Sequence, residues 1–583
     1  MTCTKFKLTT VAALVFAATN ANAALYNVVE VTPSITGASE IFGVAIEPAA
    51  FPTVAQDLTA TLGCFGGDSI DGKACSSYVL AGETRNTLEA VSYREEVPFA
   101  MDAPFQYIQE FEDFENYCYR ELRYSTCQSW AENRWNDTWS KEKNDLTYVN
   151  AKAFVEDGDI FESHNTVINS LDDDAQPLGV KSDGNIRNNA MFTTEPSGPA
   201  GTSETRAWRA IKASNGTVYN VGSVSTEGPN TDTSDTTFSS KAAIWDGTKT
   251  TEIDWIRSGS AQQGDYFAQG SMRSIVESNS IFYGVGYNTA DGNGDLQDMN
   301  ASVFVSSQID FTTNVDLSAV TWDTKPISGA EVKSGSSNDD ARYSNSVATD
   351  INDNLFAVGY SKRNGYVPEN GSAGNKIFVV TDATNPTATY LTDGIFFGGS
   401  SGEAKAVNNF NEFVGQIDAE TTREVDGSER RHRGFIYPYN LPSSIDARRV
   451  DIFGGKAWWL DDLTNDGDAS SHNNQFRIID ATDINDAGVI SATAIKCTVD
   501  GKDKPYDTTS HNSYCGGASS NAVEKVVAVK LIPIKGARYD TGSDVDSIVT
   551  RSADTEKVDR QGGSLGWLTL TVLGLLGFRR KFK

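Results

Sequence analysis

Residues Ala348–Ser361 read ATDINDNLFAVGYS, and the way this stretch repeats decides the fold. An apolar residue and an asparagine (Ile351, Asn352) lead into a polar turn, and a short apolar run then ends in Val358-Gly359. The order returns in AKAVNNFNEFVGQI (Ala404–Ile417) and in ATDINDAGVISATA (Ala481–Ala494), where Ala492 stands in the glycine position. Looser copies end at Gly222 and Gly286. A second, aromatic-rich motif follows each copy after a variable loop: KAAIWDG (Lys241–Gly247), ASVFV (Ala301–Val305), NKIFVV (Asn375–Val380) and RGFIYP (Arg433–Pro438), with KAWWLDD (Lys456–Asp462) as an extra copy. Asn-Asp or Asn-Gly suits a turn with positive φ, and β-branched and aromatic flanks suit strands. The glycine ends the second strand or lets another backbone come close. Five copies over about residues 205–535 predict a mainly β, repeat-built, propeller-like body. A β-solenoid or several small sheets are the alternatives, since turn and strand composition alone produces such echoes.

Upstream the pattern changes. Residues 24–100 hold short strand-like runs such as YNVVEVTP and SYVLAGET. About residues 103–144 are rich in Glu and aromatics at helical spacing, which predicts a short amphipathic helical insertion. Trp130, Trp135 and Trp139 lie within it, read as core in preference to a binding platform.

The two ends read as export and sorting signals. Lys5 and Lys7 precede an apolar run, and Ala21-Asn22-Ala23 follows it, so cleavage between Ala23 and Ala24 is expected and residues 1–23 form a signal peptide. At the other end, Gly562, Gly563 and Ser564 precede an apolar run over Leu565–Phe578, which predicts a hydrophobic helix. Arg579, Arg580, Lys581 and Lys583 close the chain and belong on the cytoplasmic side of a membrane. The run is short for a permanent span, which needs about 20 apolar residues. The chain therefore divides into residues 1–23, an exported body over 24–561 and a tail over 562–583.

The formal charge is −29, and removal of six cations with the two ends leaves −35. Such a surface repels nucleic acid, so no nucleic-acid partner is expected. Beyond Cys3, the six cysteines fall into three local couples, Cys64 with Cys75, Cys118 with Cys127 and Cys497 with Cys515. This pairing is preferred among the fifteen possible, and it suits an oxidising compartment.

Chemistry-bearing motifs are sparse. The sequence has four histidines, none of them in HExxH, and it has neither a GxSxG elbow nor a phosphate-binding loop. No catalytic residue is assigned, and His432 in ERRHRGF reads as part of a solvated basic loop. Two acidic loops suggest calcium as a cofactor: Asp291, Asn293 and Asp295, and Asp462, Thr464 and Asp466. Solvated turns in an acidic protein give the same residues.

The body resembles the HAF-repeat proteins, whose motif pairs an A-x-x-IN-x-x-G-x-VVG strand pair with a later His-Ala-Phe-Leu-Trp strand. Phe396–Gln416 is its nearest copy, while Lys241, Arg433 or Lys456 stands where the family has His. The tail resembles the GlyGly-CTERM sorting signal of Gram-negative surface and secreted proteins. That resemblance implies cutting near the glycines by a rhombosortase-type intramembrane protease, with the export machinery and signal peptidase as earlier partners. Together they resemble an uncharacterised exported family of unknown function. The expected role is a cell-surface or secreted binding protein for an extracellular or envelope ligand, membrane-held through its tail before processing. An extracellular hydrolase and a structural surface coat are the alternatives.

Overall fold

The computed structural model describes residues 24–539 and 548, except 36, 38–39, 50–61, 86–109, 120–123, 143–144, 146, 185, 192–201, 230–235, 264–265, 292–297, 313–314, 332–345, 363–373, 422–429, 467–472, 505–512 and 516–520. The signal peptide and the hydrophobic tail lie outside the described residues, and no described helix is long and apolar enough to cross a membrane.

Seven antiparallel sheets stand around one axis as the blades of a propeller. Their innermost strands, blade 1 to blade 7, are Glu40–Ile46, Thr166–Leu171, Glu204–Lys212, Gly270–Ser278, Ser346–Ile351, Gly402–Val407 and Phe476–Ile484. Each packs beside the next, and Phe476–Ile484 packs beside Glu40–Ile46, so the ring is closed. Blade 7 takes three strands from the end of the body and its fourth, Tyr26–Val31, from the beginning. Tyr26 faces Pro533 and Val31 faces Ala528 in that pairing. Pro533 lacks an N–H, and it sits opposite Tyr26, whose neighbour Leu25 accepts from the Ile534 amide at 2.9 Å. The ladder loses nothing there, because such bonds alternate along an antiparallel pair.

The five repeat copies are blades 3 to 7. In blades 3 to 6 the aromatic motif is the third strand. KAWWLDD instead provides the fourth strand of blade 6, Trp458–Trp459, followed by the helical turn Leu460–Leu463. Blades 1 and 2 carry no legible repeat: residues 86–152 interrupt blade 1, and three described strands make up blade 2.

The repeated asparagine does not itself take a positive φ. That conformation falls three residues later, at Leu355, Asn411 and Gly488. Asn352 and Asn408 accept two turn amides each, and Asn485 accepts the Val489 amide. Their side-chain amides reach the following blade. Asn352 donates to the Asn408 carbonyl at 2.8 Å, Asn408 to that of Asn485 at 3.2 Å, and Asn485 to that of Glu47 at 2.9 Å. One side chain thus closes a turn and ties it to its neighbour, which no other residue type does as compactly.

All three cysteine couples form disulfides. Cys118–Cys127 joins helix Phe111–Tyr117 to helix Cys127–Arg134 within the insertion. Phe114, Trp130 and Trp139 are buried there, and Trp135 packs against them, so the tryptophans form this arm's own core.

Candidate functional site

Every innermost strand carries a β-bulge at the same level. The extra residues are Val44, Asn169, Trp208, Arg273, Thr349, Lys405 and Thr482. The second strand answers the bulge with Gly82, Gly179, Gly222, Gly286, Gly359 and Gly415, and with Ala492 in blade 7. This is the physical meaning of the Val-Gly motif. A Cβ on Gly222, Gly286 or Gly415 would lie 1.9 Å from the carbonyl oxygen of Arg206, Ser271 or Glu403. The bulge turns two successive side chains of each strand toward the axis or the adjoining blade.

An innermost strand has one edge without a neighbouring strand, and its backbone groups need partners. The preceding blade supplies them. Asn169 and Ser170 donate to the carbonyls of Ala207 and Trp208 at 2.7 Å each. Thr349 donates to the Ala404 carbonyl at 2.8 Å. Asp350 accepts the Val407 amide at 2.9 Å, and Asp483 accepts the Ile46 amide at 3.1 Å across the seam between blades 7 and 1.

Arg209 occupies the position of Asp350 and Asp483 in blade 3, and it reaches across the ring instead. One of its terminal nitrogens lies 3.6 Å from Asp350 in blade 5 and 3.8 Å from Asp483 in blade 7. Burial works against its charge, but the two carboxylates outweigh that and hold its pKa above the ordinary value. Asp483 is buried, which pushes its pKa up to about 6 despite the opposing pull of Arg209 and the Ile46 amide. Around this triad, the Arg273 guanidinium stacks 3.5 Å from the Trp208 ring centroid, and Lys405 pairs with Asp480 at 2.6 Å. The axis therefore holds fixed charges of both signs at one level. Chemically, it can brace the ring and orient a charged or strongly dipolar group.

A second buried acid, Asp486, sits at the turn after Asn485. Burial pushes it up to about 6, against hydrogen bonds from the Asn409 amide and side chain. The folded state therefore binds this proton more tightly than the unfolded chain, whose carboxyl titrates near 3.8. Its stabilising contribution is full below pH ~4 and is lost as pH rises through ~6. The unfolding free energy of Asp486→Asn, from urea titrations at pH 4 to 7, is expected to lack about 2 kcal/mol of the wild type's decline over that interval.

The sequence-derived candidates are scattered. Ala23, Gly562, Gly563 and Ser564 lie outside the described residues, as do Asn293 and Asp295; Asp291 ends the second strand of blade 4, and Ala24 is the first described residue of the body. Asp462 and Thr464 are buried at the turn Leu460–Leu463. Arg433 donates to Asp462 at 3.1 Å, and the Thr464 hydroxyl donates to the Asp461 carbonyl. Among the described residues, no three or more His, Cys, Asp or Glu side chains are grouped to hold a metal. The described part of ERRHRGF, Arg430–Phe435, is not a solvated basic loop. Arg430 is buried against Asp418 at 2.8 Å, Arg433 is buried between Asp461 and Asp462, and His432 opens the third strand of blade 6, 3.2 Å from Asp418. Arg209 was not among the candidates, because it precedes the repeat motif and its partners lie two blades or more away. The available signal was the recurring Asp before Ile-Asn, at Asp350 and Asp483, replaced by Ala406 in blade 6.

Fold and axial ring define a seven-bladed β-propeller that its own N-terminal strand closes. The chain belongs to the family described as "Protein of unknown function (DUF3466)", matched over residues 213–581. No curated protein matches it. It is similar to a protein of unknown function from Dyadobacter fermentans DSM 18053, seen in a crystal structure, at 10% identity over 62% of this chain and 85% of that one, with a TM-score of 0.29.

Proposed function

We propose that this propeller is an exported binding protein, sorted by its GlyGly-CTERM-like tail to the cell surface or medium, where it engages an extracellular or envelope ligand. The observation that carries the reading is the disulfide set: every cysteine of the body is paired, across three separate loops. Such pairing persists in oxidising compartments and is rare elsewhere. The signal-peptide pattern and the tail with Gly562-Gly563 supply the route, through signal peptidase and then a rhombosortase-type protease. A rigid ring with variable connections between its blades suits binding, since loops on a rigid scaffold carry recognition in many folds.

Intact mass and cell fraction of the protein from its native host test this reading. A chain beginning at Ala24, ending near Gly562-Gly563 and found at the surface or in the medium is expected. An uncut chain in the cytoplasm would overturn it, and an exported chain with its tail retained would remove the processing step.

A further inference from the structure

The third strand of blade 6, His432–Pro438, puts Phe435 and Tyr437 on one face, because side chains alternate along a strand. Phe413 stands opposite Tyr437, and Trp459 stands opposite Phe435, one diagonal step from Tyr437. This face looks toward blade 5, since its residues share a cluster with Phe356, Val358 and Ile377. Phe413 and Phe435 are buried, but Tyr437, Tyr439 and Trp459 are only half-buried. Leu391 and Ile395, which follow the fourth strand of blade 5, Ala388–Tyr390, pack half-buried against the same cluster. An aromatic strip with aliphatic borders therefore runs along the outer seam between blades 5 and 6.

Its polar groups are left over from folding. At the preceding seam, the half-buried Tyr390 gives its hydroxyl to the Gly329 carbonyl at 3.0 Å and shares it with Ser361 at 2.7 Å. Neither the Tyr437 nor the Tyr439 hydroxyl has a hydrogen-bond partner among the described residues. Burial raises the Tyr437 pKa, the Tyr439 phenol adds to that, Arg449 opposes it and Asp393 adds to it. A guanidinium and a carboxylate thus stand near the same phenol. The platform is also rigid. The Tyr437 and Tyr439 ring centroids are 5.5 Å apart, and Tyr439 stacks on Phe356 at 5.2 Å. Arg433, pinned by Asp461 and Asp462, lies 4.8 Å from the Trp459 ring centroid. Little side-chain freedom remains to be lost on binding.

We infer that this strip binds a neutral hexopyranose polymer from outside the cell, which rests on the binding role proposed above and names its ligand class. A pyranose ring offers an apolar C–H face to aromatic side chains and hydroxyls that both donate and accept. Those hydroxyls match two phenols, a carboxylate and a guanidinium. A purely aliphatic ligand would strip water from the phenols and Asp393 without replacing its hydrogen bonds. A peptide strand finds little ladder to extend, because the outermost strand here is the two-residue Trp458–Trp459. Charge selects among glycans: the chain's formal −29 repels polyanionic ones, and Arg449 and Asp393 offer opposite signs within the strip.

Affinity electrophoresis tests this with the chain from Ala24 to Lys583 in a zwitterionic detergent. The native gels hold hydroxyethylcellulose, galactomannan or dextran, with alginate as the polyanion. At least one neutral polymer is expected to retard the protein, and alginate is not. Tyr437→Phe removes a hydroxyl that no described residue uses, so its urea midpoint is expected to stay at the wild-type value. Its dissociation constant for the retarding polymer is expected to rise about fivefold. Trp459→Ala is expected to raise that constant about tenfold or more, and Tyr437→Phe keeps the test decisive if Trp459→Ala does not fold. Retardation by no neutral polymer, or by alginate alone, would overturn the inference and leave export to be decided by mass and cell fraction. Retardation that Tyr437→Phe leaves unchanged would overturn the site and keep the binding role. An uncut cytoplasmic chain would remove the extracellular source along with the export reading.

Discussion

Gly222→Ala is expected to destabilise the protein by about 3 kcal/mol or more, while Gly228→Ala in the same strand is expected to change almost nothing. Both glycines belong to Val218–Pro229. A Cβ at Gly222 would sit 1.9 Å from the Arg206 carbonyl oxygen, whereas one at Gly228 would meet nothing within 4 Å. The obstacle at Gly222 is backbone, in a strand locked on both sides, so neither partner gives way cheaply. Urea denaturation of the two variants measures the difference. A Gly222→Ala midpoint equal to that of Gly228→Ala would mean that the bulge is not where the structure puts it. The same clash recurs at Gly286 and Gly415, so those positions serve as replicates.

Arg448→Met is expected to cost about 3–5 kcal/mol, and adding Glu412→Gln is expected to restore more than half of the loss. Arg448 lies in the turn Asp446–Arg449 and meets Glu412 through two bonds, of 2.7 and 2.8 Å, with both side chains buried. Its guanidinium lies 4.2 Å from the Phe410 ring centroid, and Gly63 and Gly488 leave the space it fills. Removing the cation strands a buried carboxylate. Neutralising that carboxylate as well takes away most of the penalty. The side-chain carbonyl that Glu412→Gln leaves in place still accepts from the Asn408 side chain, which donates to Glu412 at 2.7 Å. Thermal and urea unfolding of both single variants and the double variant closes the cycle. An Arg448→Met protein as stable as the wild type would show that the pair is not buried in solution.

Much of the fold was legible where the chemistry is local. The asparagine and glycine motifs marked the first hairpins of blades 3 to 7, because turn closure and close backbone approach restrict residue choice within a few positions. The aromatic run marked third strands for a similar reason: those side chains fill the space between blades. The cysteine couples were legible because each closes a short loop. What the residues did not reveal was long-range. Tyr26–Val31 looks like any N-terminal strand, and only the register with Val523–Pro533 places it in the last blade. Arg430 and Arg433 look solvated in sequence, and their burial, like that of Arg448, depends on carboxylates supplied by other segments. Arg209 is the sharpest case, since its partners stand on blades 5 and 7.

Closure of the ring by the chain's own beginning underlies every statement about the axis. The most direct test is the double variant Asn27→Cys/Ile532→Cys, at facing positions in the closing pair. Directly opposite residues in an antiparallel pair have Cα atoms about 4.5–5.5 Å apart, within the range a disulfide spans. Mild oxidation is expected to join the two positions nearly completely, giving a non-reduced gel shift and an intact mass two hydrogens lower. Free thiols at both positions in the folded, oxidised protein would contradict the closed ring.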